Sequence, residues 1–165
     1  MAYLIEPTND LRDSWLAAQR EHADVDGHTE AGGQSIEDLE SGNSIDRIVQ
    51  SLLAGTAVPG TDPGMTCEWW WVEPSGQGLE YIGRVVLRPN PGPREGHLRV
   101  AVRPSRCRQG HGAQLLKAAL PIAAGRGFPS VILACPPRNA AAHRLVQRLG
   151  ATPLRGSADR FLLPT

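Results

Sequence analysis

Apolar residues recur with a helical period in the first third of the chain, and this pattern predicts two helices. The first is predicted to start at Asn9 or Asp10, either of which can cap it, and to end near His22. The second is predicted to start at Ser44, because the apolar residues that follow share one side. These residues are Ile45, Ile48, Val49, Leu52 and Leu53.

Strand patterns come next along the chain. Tyr3–Ile5 is a short apolar stretch that predicts a first strand, and three more strands are predicted at 67–72, 79–87 and 97–102. Their turn spacing is typical of an antiparallel meander. Segments rich in polar residues, glycine or proline predict the connections, and we expect the first of them to be mobile. They are 23–43, 55–64, 74–78 and 89–96.

The last third alternates helix and strand. A helix is predicted over 112–124, where Pro121 cannot donate to the carbonyl of Lys117, so we expect a kink or an early end. A short apolar strand follows, then a helix from Asn139 to about residue 149, and a final strand. The two strands are predicted at 131–135 and 160–163. A strand, a crossover helix and a strand over 97–135 predict a βαβ unit and therefore one parallel pair.

Composition narrows the classes of protein. The 165 residues fit one domain, and 17 Lys and Arg against 17 Asp and Glu argue against a general nucleic-acid binder. No apolar run is long enough to span a membrane, and we expect no signal peptide. Cys67, Cys107 and Cys135 are far apart and odd in number, which favours neither a zinc site nor disulfides. We therefore expect a cytoplasmic protein without a metal.

One segment carries candidate chemistry. The stretch 102–113 is a strand end, an arginine- and glycine-bearing turn, and a helix start. A helix start exposes free N–H groups and the positive end of the helix dipole, and glycines let an anion approach that backbone closely. Gly110 and Gly112 alone also fit an ordinary turn. No Gly-Lys-Ser/Thr follows, and the third glycine of G-x-G-x-x-G would fall at Leu115, so neither nucleotide motif is complete.

With its neighbours, this segment resembles the GNAT superfamily of acetyl-CoA-dependent N-acetyltransferases. A strand that ends in V-x-P, here Val102 to Pro104, is followed by the acyl-CoA pattern R/Q-x-x-G-x-G/A. A second block, N-x-x-A-x-x-L-x-x-x-x-G, is similar to the helix that follows in that family. Its matched positions are Asn139, Ala142, Leu145 and Gly150. Short matches at 4–8, 96–97 and 103–105 resemble a bacterial branch of predicted acetyltransferases.

The resemblance implies an α/β (α+β) domain with the GNAT acyl-CoA N-acyltransferase fold, a mixed and mostly antiparallel sheet with flanking helices. It implies one domain over 1–165, with an acceptor side at about 1–96 and a CoA-binding half at about 97–165. Acetyl-CoA is the implied cosubstrate and an amine the implied acceptor, without nucleic acid or membrane, and homodimers are frequent in the superfamily. The implied cofactor-binding residues are Val100, Val102, Arg103, Arg106, Cys107, Arg108, Gln109, Gly110, His111, Gly112, Ala113 and Asn139.

Two positions depart from the family pattern. Cys107 stands where the family has Arg or Gln, although backbone contacts to the pyrophosphate do not depend on that side chain. Val146 stands where many members have a tyrosine that protonates the departing thiolate. A thiol with a pKa of about 8.5 can leave as thiolate and take its proton from water, so activity does not require that tyrosine. An acyl-CoA sensor without turnover is the alternative function.

The general base is the least defined part of the implied mechanism. An amine with a pKa of about 10.4 must lose a proton before it attacks, and the carbonyl oxygen needs a donor, here a backbone N–H near Val102. The candidate bases are His97, Glu68 and Glu80. His97 follows Glu95 at the start of its strand, where many members place a carboxylate.

Other interpretations stay open for several of these residues. The three arginines 103, 106 and 108 are also compatible with a solvated charge cluster, and Asn139 with a helix cap alone. We expect His111 to be exposed or packed rather than catalytic, and Cys135 to be core. Cys107 is either a small loop residue or a reactive thiol beside arginines. Trp69 to Trp71 alternate faces and cannot line one pocket together.

Overall fold

Seven strands form one sheet in the computed structural model, which describes residues 1–31, 34–41, 44–54, 66–76 and 78–165. The strands are β1 Tyr3–Ile5, β2 Cys67–Ser75, β3 Gly78–Leu87, β4 Leu98–Val102, β5 Ser130–Ala134, β6 Thr152–Pro153 and β7 Arg160–Pro164. Their order is β1-β2-β3-β4-β5-β7-β6, and every neighbouring pair is antiparallel except β4 with β5. The prediction of a mixed, mostly antiparallel sheet is confirmed.

Helices flank both faces of this sheet. They are α1 Arg12–Asp26, α2 Ile36–Glu40, α3 Ser44–Leu53, α4 His111–Gly125 and α5 Ala140–Arg148. Thr8, rather than Asn9 or Asp10, caps the entry to α1: its hydroxyl accepts the N–H of Asp10 at 3.3 Å, and a 3₁₀ turn leads into the helix. None of the helices in the described ranges is long and apolar enough to cross a membrane.

The sheet separates two hydrophobic cores, because successive strand residues point to opposite faces. On one face Trp70, Val72 and Tyr81 pack with α1, α2 and α3. On the other face Trp71, Ile82 and Val85 pack with α4, β5 and β7. The alternation of the tryptophans is confirmed, since Trp70 and Trp71 lie in different cores.

The structure corrects several predicted boundaries. α1 continues past His22 to Asp26, and the predicted mobile connection 23–43 contains α2. The Ser35 hydroxyl accepts the N–H of Asp38 at 3.1 Å, and the Asp38 carboxylate accepts the N–H of Ser35 at 3.3 Å, so a capping box starts that helix. β2 runs three residues beyond its predicted end, and β6 was not predicted. The predicted loop 55–64 lies outside the described residues.

Pro121 does not end α4. The helix continues to Gly125, so the predicted early end is wrong. Pro121 and Lys117 are both exposed, and water can therefore satisfy the carbonyl that the proline leaves without a donor. The βαβ unit itself is confirmed, because α4 joins β4 to the parallel strand β5.

Candidate active site

An opening between β4 and β5 divides the sheet. β4 pairs with β3 along its whole length, from Leu98 to Val102, but with β5 only where Leu98 lies opposite Leu133. Just before this contact, Gly96 packs so closely that a Cβ would lie 2.4 Å from the carbonyl oxygen of Ile132. Beyond Leu98 the two strands separate, and one edge of β4 faces the opening.

Backbone N–H groups of β4 point into that opening. The N–H of Arg88 donates to the carbonyl of His97 at 2.7 Å, and the N–H of Arg103 donates to the carbonyl of Ile82 at 2.8 Å. In an antiparallel ladder, residues that bond to one neighbour alternate with residues that face the other way. Val100 and Val102 therefore direct their N–H groups away from β3 and into the opening.

The turn before α4 presents a row of unused donors. The backbone N–H groups of residues 108–112 have no hydrogen-bond partner among the residues described, whereas Ala113 and Gln114 both donate to the carbonyl of Gly110 at 3.1 Å. Arg108 has φ +64° and Gly110 has φ +88°, so the backbone alternates through the left-handed region. Successive N–H groups in such a turn form an anion-binding concavity, which we call the amide cradle. A diphosphate fits this donor set.

Two of the predicted cofactor-binding arginines turn away from the cradle. The buried Arg103 side chain donates to Glu21, to Glu80 at 3.1 Å and to the carbonyl of Tyr81 at 3.1 Å. Arg106 pairs with Glu73 and lies 3.8 Å from Glu80. These guanidinium groups hold the turn to α1, β2 and β3. Arg108 is exposed and is the arginine of this turn without an ion-pair partner among the described residues.

The remaining side chains of the turn bond locally. The Cys107 thiol lies 3.5 Å from the carbonyls of Val102 and Arg103. Burial raises its pKa, and the carboxylates of Asp26 and Glu21 raise it further, so the alternative of a thiol activated by neighbouring arginines is not supported. Gln109 donates to the carbonyl of Ser105 at 3.2 Å.

The start of α4 packs against both neighbouring elements. His111 is buried, and its Nδ1 accepts the indole N–H of Trp71 at 3.2 Å, so it packs rather than projecting into solvent. Gly112 has room for a Cβ, which would lie 3.7 Å from Leu145 and 3.9 Å from Val102. The half-buried Ala113 follows on the same turn. The cradle is thus bounded by β4 and α5.

The second sequence block lies at the start of α5. Asn139 caps this helix, because its Oδ1 accepts the N–H of Ala142 at 3.0 Å. The residue is exposed, so its amide N–H groups stay available to a ligand. Val146, where the family tyrosine is absent, is buried in the core.

His97 lies at the opposite end of β4 from the cradle. Its Nδ1 accepts the backbone N–H of Ile132 at 3.0 Å, and its ring packs against Phe128. Burial lowers its pKa, and the charge of Arg160 lowers it further, which keeps the ring neutral at pH 7. A neutral ring that accepts at Nδ1 carries its proton on Nε2. His97 therefore has no free lone pair unless it releases Ile132.

The two glutamates proposed as bases already have partners. Glu68 is buried, with one oxygen accepting the indole N–H of Trp70 at 2.8 Å and the other accepting Arg84 at 3.0 Å. Glu80 accepts Arg103 beside the turn that precedes the cradle. Glu80 is the more exposed of the two.

The structure adds one carboxylate that the sequence did not indicate. Glu30 lies in the segment predicted to be a mobile connection, yet its Oε2 pairs with Arg99 of β4 at 2.9 Å and with Arg84 at 3.3 Å. Burial raises the pKa of Glu30, but the charges of these two arginines outweigh burial and lower it. The net result is a carboxylate that stays ionised beside β4. No local motif marks Glu30, because its partners are more than 50 residues away.

Comparison with known proteins places this geometry in a family. The family model described as the acetyltransferase (GNAT) family matches residues 53–151, which include the cradle, α5 and the strands around the opening. No curated protein matches the chain significantly.

Solved structures share the fold over the whole chain. The PaiA N-acetyltransferase from Thermoplasma acidophilum, determined with coenzyme A, is 15% identical with a TM-score of 0.60, covering 100% of this chain and 99% of that one. A GNAT-family acetyltransferase from Staphylococcus aureus is 11% identical with a TM-score of 0.61, covering 99% of each chain. One from Bacillus anthracis is 10% identical with a TM-score of 0.59, covering 98% and 90%. At these identities the likeness concerns the fold alone.

Proposed function

The chain belongs to the acetyltransferase (GNAT) family, and on that premise we propose that it moves the acetyl group of acetyl-CoA to the primary amine of an acceptor. The observation that carries the proposal is the amide cradle at 108–112, which lies beside the opening between β4 and β5. Acetyl-CoA would use both the cradle and the opening, with its diphosphate in the cradle and its extended arm along the open edge of β4. We propose residues 1–165 as one domain, with the acceptor entering from the α1–α3 side.

The residues of this chain would act in defined ways. The N–H groups of the cradle bind phosphate oxygens, and Arg108 and Asn139 add side-chain donors. Acetyl-CoA supplies a thioester, and as the amine nitrogen bonds to its carbonyl carbon the C–S bond breaks and the thiolate leaves. The N–H of Val100 or Val102 points into the opening and donates to the carbonyl oxygen as that oxygen gains charge.

The nitrogen loses one proton before attack and a second after the C–N bond forms, while the thiolate gains one, and no single side chain is assigned to any of these transfers. The ammonium of the acceptor loses a proton before attack, and Glu30 is already paired with Arg84 and Arg99. Glu68, Glu80 and His97 all have partners already, so we propose that water carries the proton from the amine. Val146 cannot donate a proton, so water protonates the thiolate.

Calorimetric titration with acetyl-CoA tests binding, and thiol release with a panel of primary amines tests transfer. We expect a 1:1 complex and thiol release that depends on the amine. Absence of binding at millimolar acetyl-CoA would contradict the proposal.

A sensor without turnover is the second candidate function. The buried valine at position 146 and the occupied Nδ1 of His97 favour it, because both remove groups that could move protons. Tight acetyl-CoA binding with no thiol release above background across the amine panel would select this function.

A further inference from the structure

A cavity of about 380 Å³ lies between the segment that precedes β4 and the loop that joins β6 to β7. Pro93 and Arg94 form one wall, and residues 154–160 form the other. The lining contains three arginines, Arg94, Arg155 and Arg160, and one carboxylate, that of Asp159. The cavity therefore carries a net charge of plus two, in a chain whose net charge is zero.

The positive charge of this cavity is not neutralised internally. Arg94 and Arg155 have no hydrogen-bond or ion-pair partner in the described part of the chain. Arg160 donates from Nη1 to the carbonyl of Pro93 at 3.0 Å, but its Nε is buried without a partner. The carboxylate of Asp159 accepts the Ser157 hydroxyl at 2.8 Å and pairs with none of the three arginines. An anion with several oxygens would satisfy these donors.

The wall formed by 154–160 is held in place before any ligand binds. The N–H of Leu154 donates to the carbonyl of Arg160 at 2.8 Å, and the N–H of Ser157 donates to the carbonyl of Leu154 at 3.0 Å. The N–H of Cys135 donates to the carbonyl of Asp159 at 2.7 Å and joins the loop to the end of β5. Such preorganisation lowers the entropy cost of binding.

The position of the cavity separates it from the amide cradle. The cradle follows the end of β4, whereas Arg94 precedes its start, and five strand residues span roughly 17 Å. The loop 154–160 adjoins the end of β5, where Leu98 and Leu133 close the opening. If the arm of acetyl-CoA extends from the cradle along β4, its thioester lies toward this closed end of the opening.

We propose that the cavity binds an oxyanion of the acceptor, a carboxylate or a phosphate, so that the acceptor is a small amine that also carries a negative charge. This inference rests on the proposed function and specifies its substrate class. Arg94 and Arg155 set the specificity, because their guanidinium groups are free to pair with the anion.

Three short primary amines test the proposal by thiol release at saturating acetyl-CoA. They are 3-aminopropanol, which is neutral, β-alanine, which carries a carboxylate, and phosphoethanolamine, which carries a phosphate. We expect at least one anionic amine to have a KM ten-fold or more below that of the neutral amine, and the better of the two identifies the oxyanion. Equal KM values, or a preference for the neutral amine, would overturn the proposal.

The double variant Arg94→Gln/Arg155→Gln tests whether the cavity causes that preference. We expect the KM of the anionic amine to rise at least ten-fold, while kcat and the acetyl-CoA affinity stay within two-fold of the wild type. Arg47→Gln, an exposed arginine on α3, is the matched control and should leave the preference intact. An unchanged preference, or a loss of acetyl-CoA affinity in the double variant, would overturn the proposal.

A direct titration separates this inference from the proposed function. β-Alanine and phosphoethanolamine are titrated into protein saturated with CoA, so that no transfer is required. If no amine releases thiol but one of them binds and the double variant does not bind it, the transferase proposal fails and the cavity proposal holds. Absence of binding by both amines would overturn the cavity proposal even if other amines are acetylated.

Discussion

At the scale of single residues, the amide cradle depends on backbone atoms more than on side chains. Residues 108–112 offer five N–H groups, while the arginines that flank Cys107 have different surroundings. Arg106 is committed to Glu73, and Arg108 is exposed. A substitution that places negative charge against the N–H groups should therefore weaken binding more than one that removes a nearby positive charge.

Gly112→Glu tests the cradle. Because Gly112 has a right-handed backbone and room for a Cβ, we expect the variant to fold, yet its carboxylate would lie against the diphosphate. We expect the Kd for acetyl-CoA to rise at least 100-fold, measured by calorimetry.

Gly112→Gln has nearly the same size without the charge and serves as the control for Gly112→Glu. We expect the rise in its Kd for acetyl-CoA to be less than a tenth of the rise seen with Gly112→Glu. Equal losses in the two variants would show that bulk, not charge, blocks the site.

The pH dependence of the reaction rate tests whether His97 is the general base. Since Nδ1 holds the N–H of Ile132, we expect His97→Asn, whose Oδ1 can accept the same N–H, to keep the pH–rate profile of the wild type. The measurement is kcat/KM for acetyl-CoA-dependent thiol release between pH 5.5 and 9. A limb that disappears in the variant would show that the ring releases Ile132 and acts as the base.

The sequence indicated where the cradle lies but not what each arginine does. Strand, glycine turn and helix start are local patterns, so the turn could be predicted from residues 102–113, whereas its CoA interpretation also needed the block that starts at Asn139. Arg103 pairs with Glu21 and Arg106 with Glu73, which lie 82 and 33 residues away. Only the folded chain brings such partners together. Glu30 was not predicted for the same reason, because Arg84 and Arg99 lie 54 and 69 residues from it in the sequence.

At the scale of elements, α1 is joined to the turn that carries the cradle. One oxygen of Glu21 accepts the Arg103 side chain, and the other accepts the N–H of Ser105 at 2.9 Å. Partial burial raises the pKa of Glu21, but the hydrogen bonds from Arg103 and Ser105 outweigh it and hold the pKa at about 2. Helix α1 and the turn that precedes the cradle are thus held together by a carboxylate that is ionised at neutral pH.

Glu21→Gln should loosen this link. At pH 7 we expect the free energy of unfolding to fall by about 1–2 kcal/mol, because a charge-assisted hydrogen bond is lost, and the KM for acetyl-CoA to rise several-fold. The folded pKa lies below the unfolded value of about 4.5, so Glu21 stabilises the fold above that pH. The difference between wild type and variant should therefore shrink as the pH falls from 4.5 toward 2.

Glu40→Gln is the matched control for Glu21→Gln. Glu40 pairs with Arg20 on an exposed surface, so we expect a change within about 0.5 kcal/mol. Denaturant unfolding at several pH values measures both variants. A difference for Glu21→Gln that persists at pH 2 would contradict the assigned role.

Elements with a strong apolar period were predicted best, whereas the short elements α2 and β6 were missed. α3 follows from its apolar spacing, and the parallel pair follows from the order of strand, crossover helix and strand. α2 has only five residues in a polar segment, and the Ser35–Asp38 capping box was its only local signal. β6 has two residues, both exposed, and it exists because β7 offers it an edge, which is a tertiary effect.

At the scale of the whole molecule, one sheet is shared by two cores. Ile45 of α3 belongs to the core that also holds Trp15 and Trp70, and Ile82 belongs to the core that holds Trp71. Both isoleucines are fully buried. Because β2 and β3 contribute to both cores, loss of packing in one should destabilise the other. The predicted acceptor and CoA halves should therefore unfold together.

Ile45→Ala and Ile82→Ala test this coupling. Each leaves a cavity, so we expect each to lower the free energy of unfolding by about 2–5 kcal/mol. Tryptophan fluorescence, which reports on both cores, and far-UV circular dichroism should give one coincident transition for each variant.

Acetyl-CoA at 100 times its Kd should stabilise the wild type by about 2.7 kcal/mol in both signals, and Gly112→Glu should lose that gain. Two separate transitions, or stabilisation seen in one signal only, would show that the two halves are independent domains.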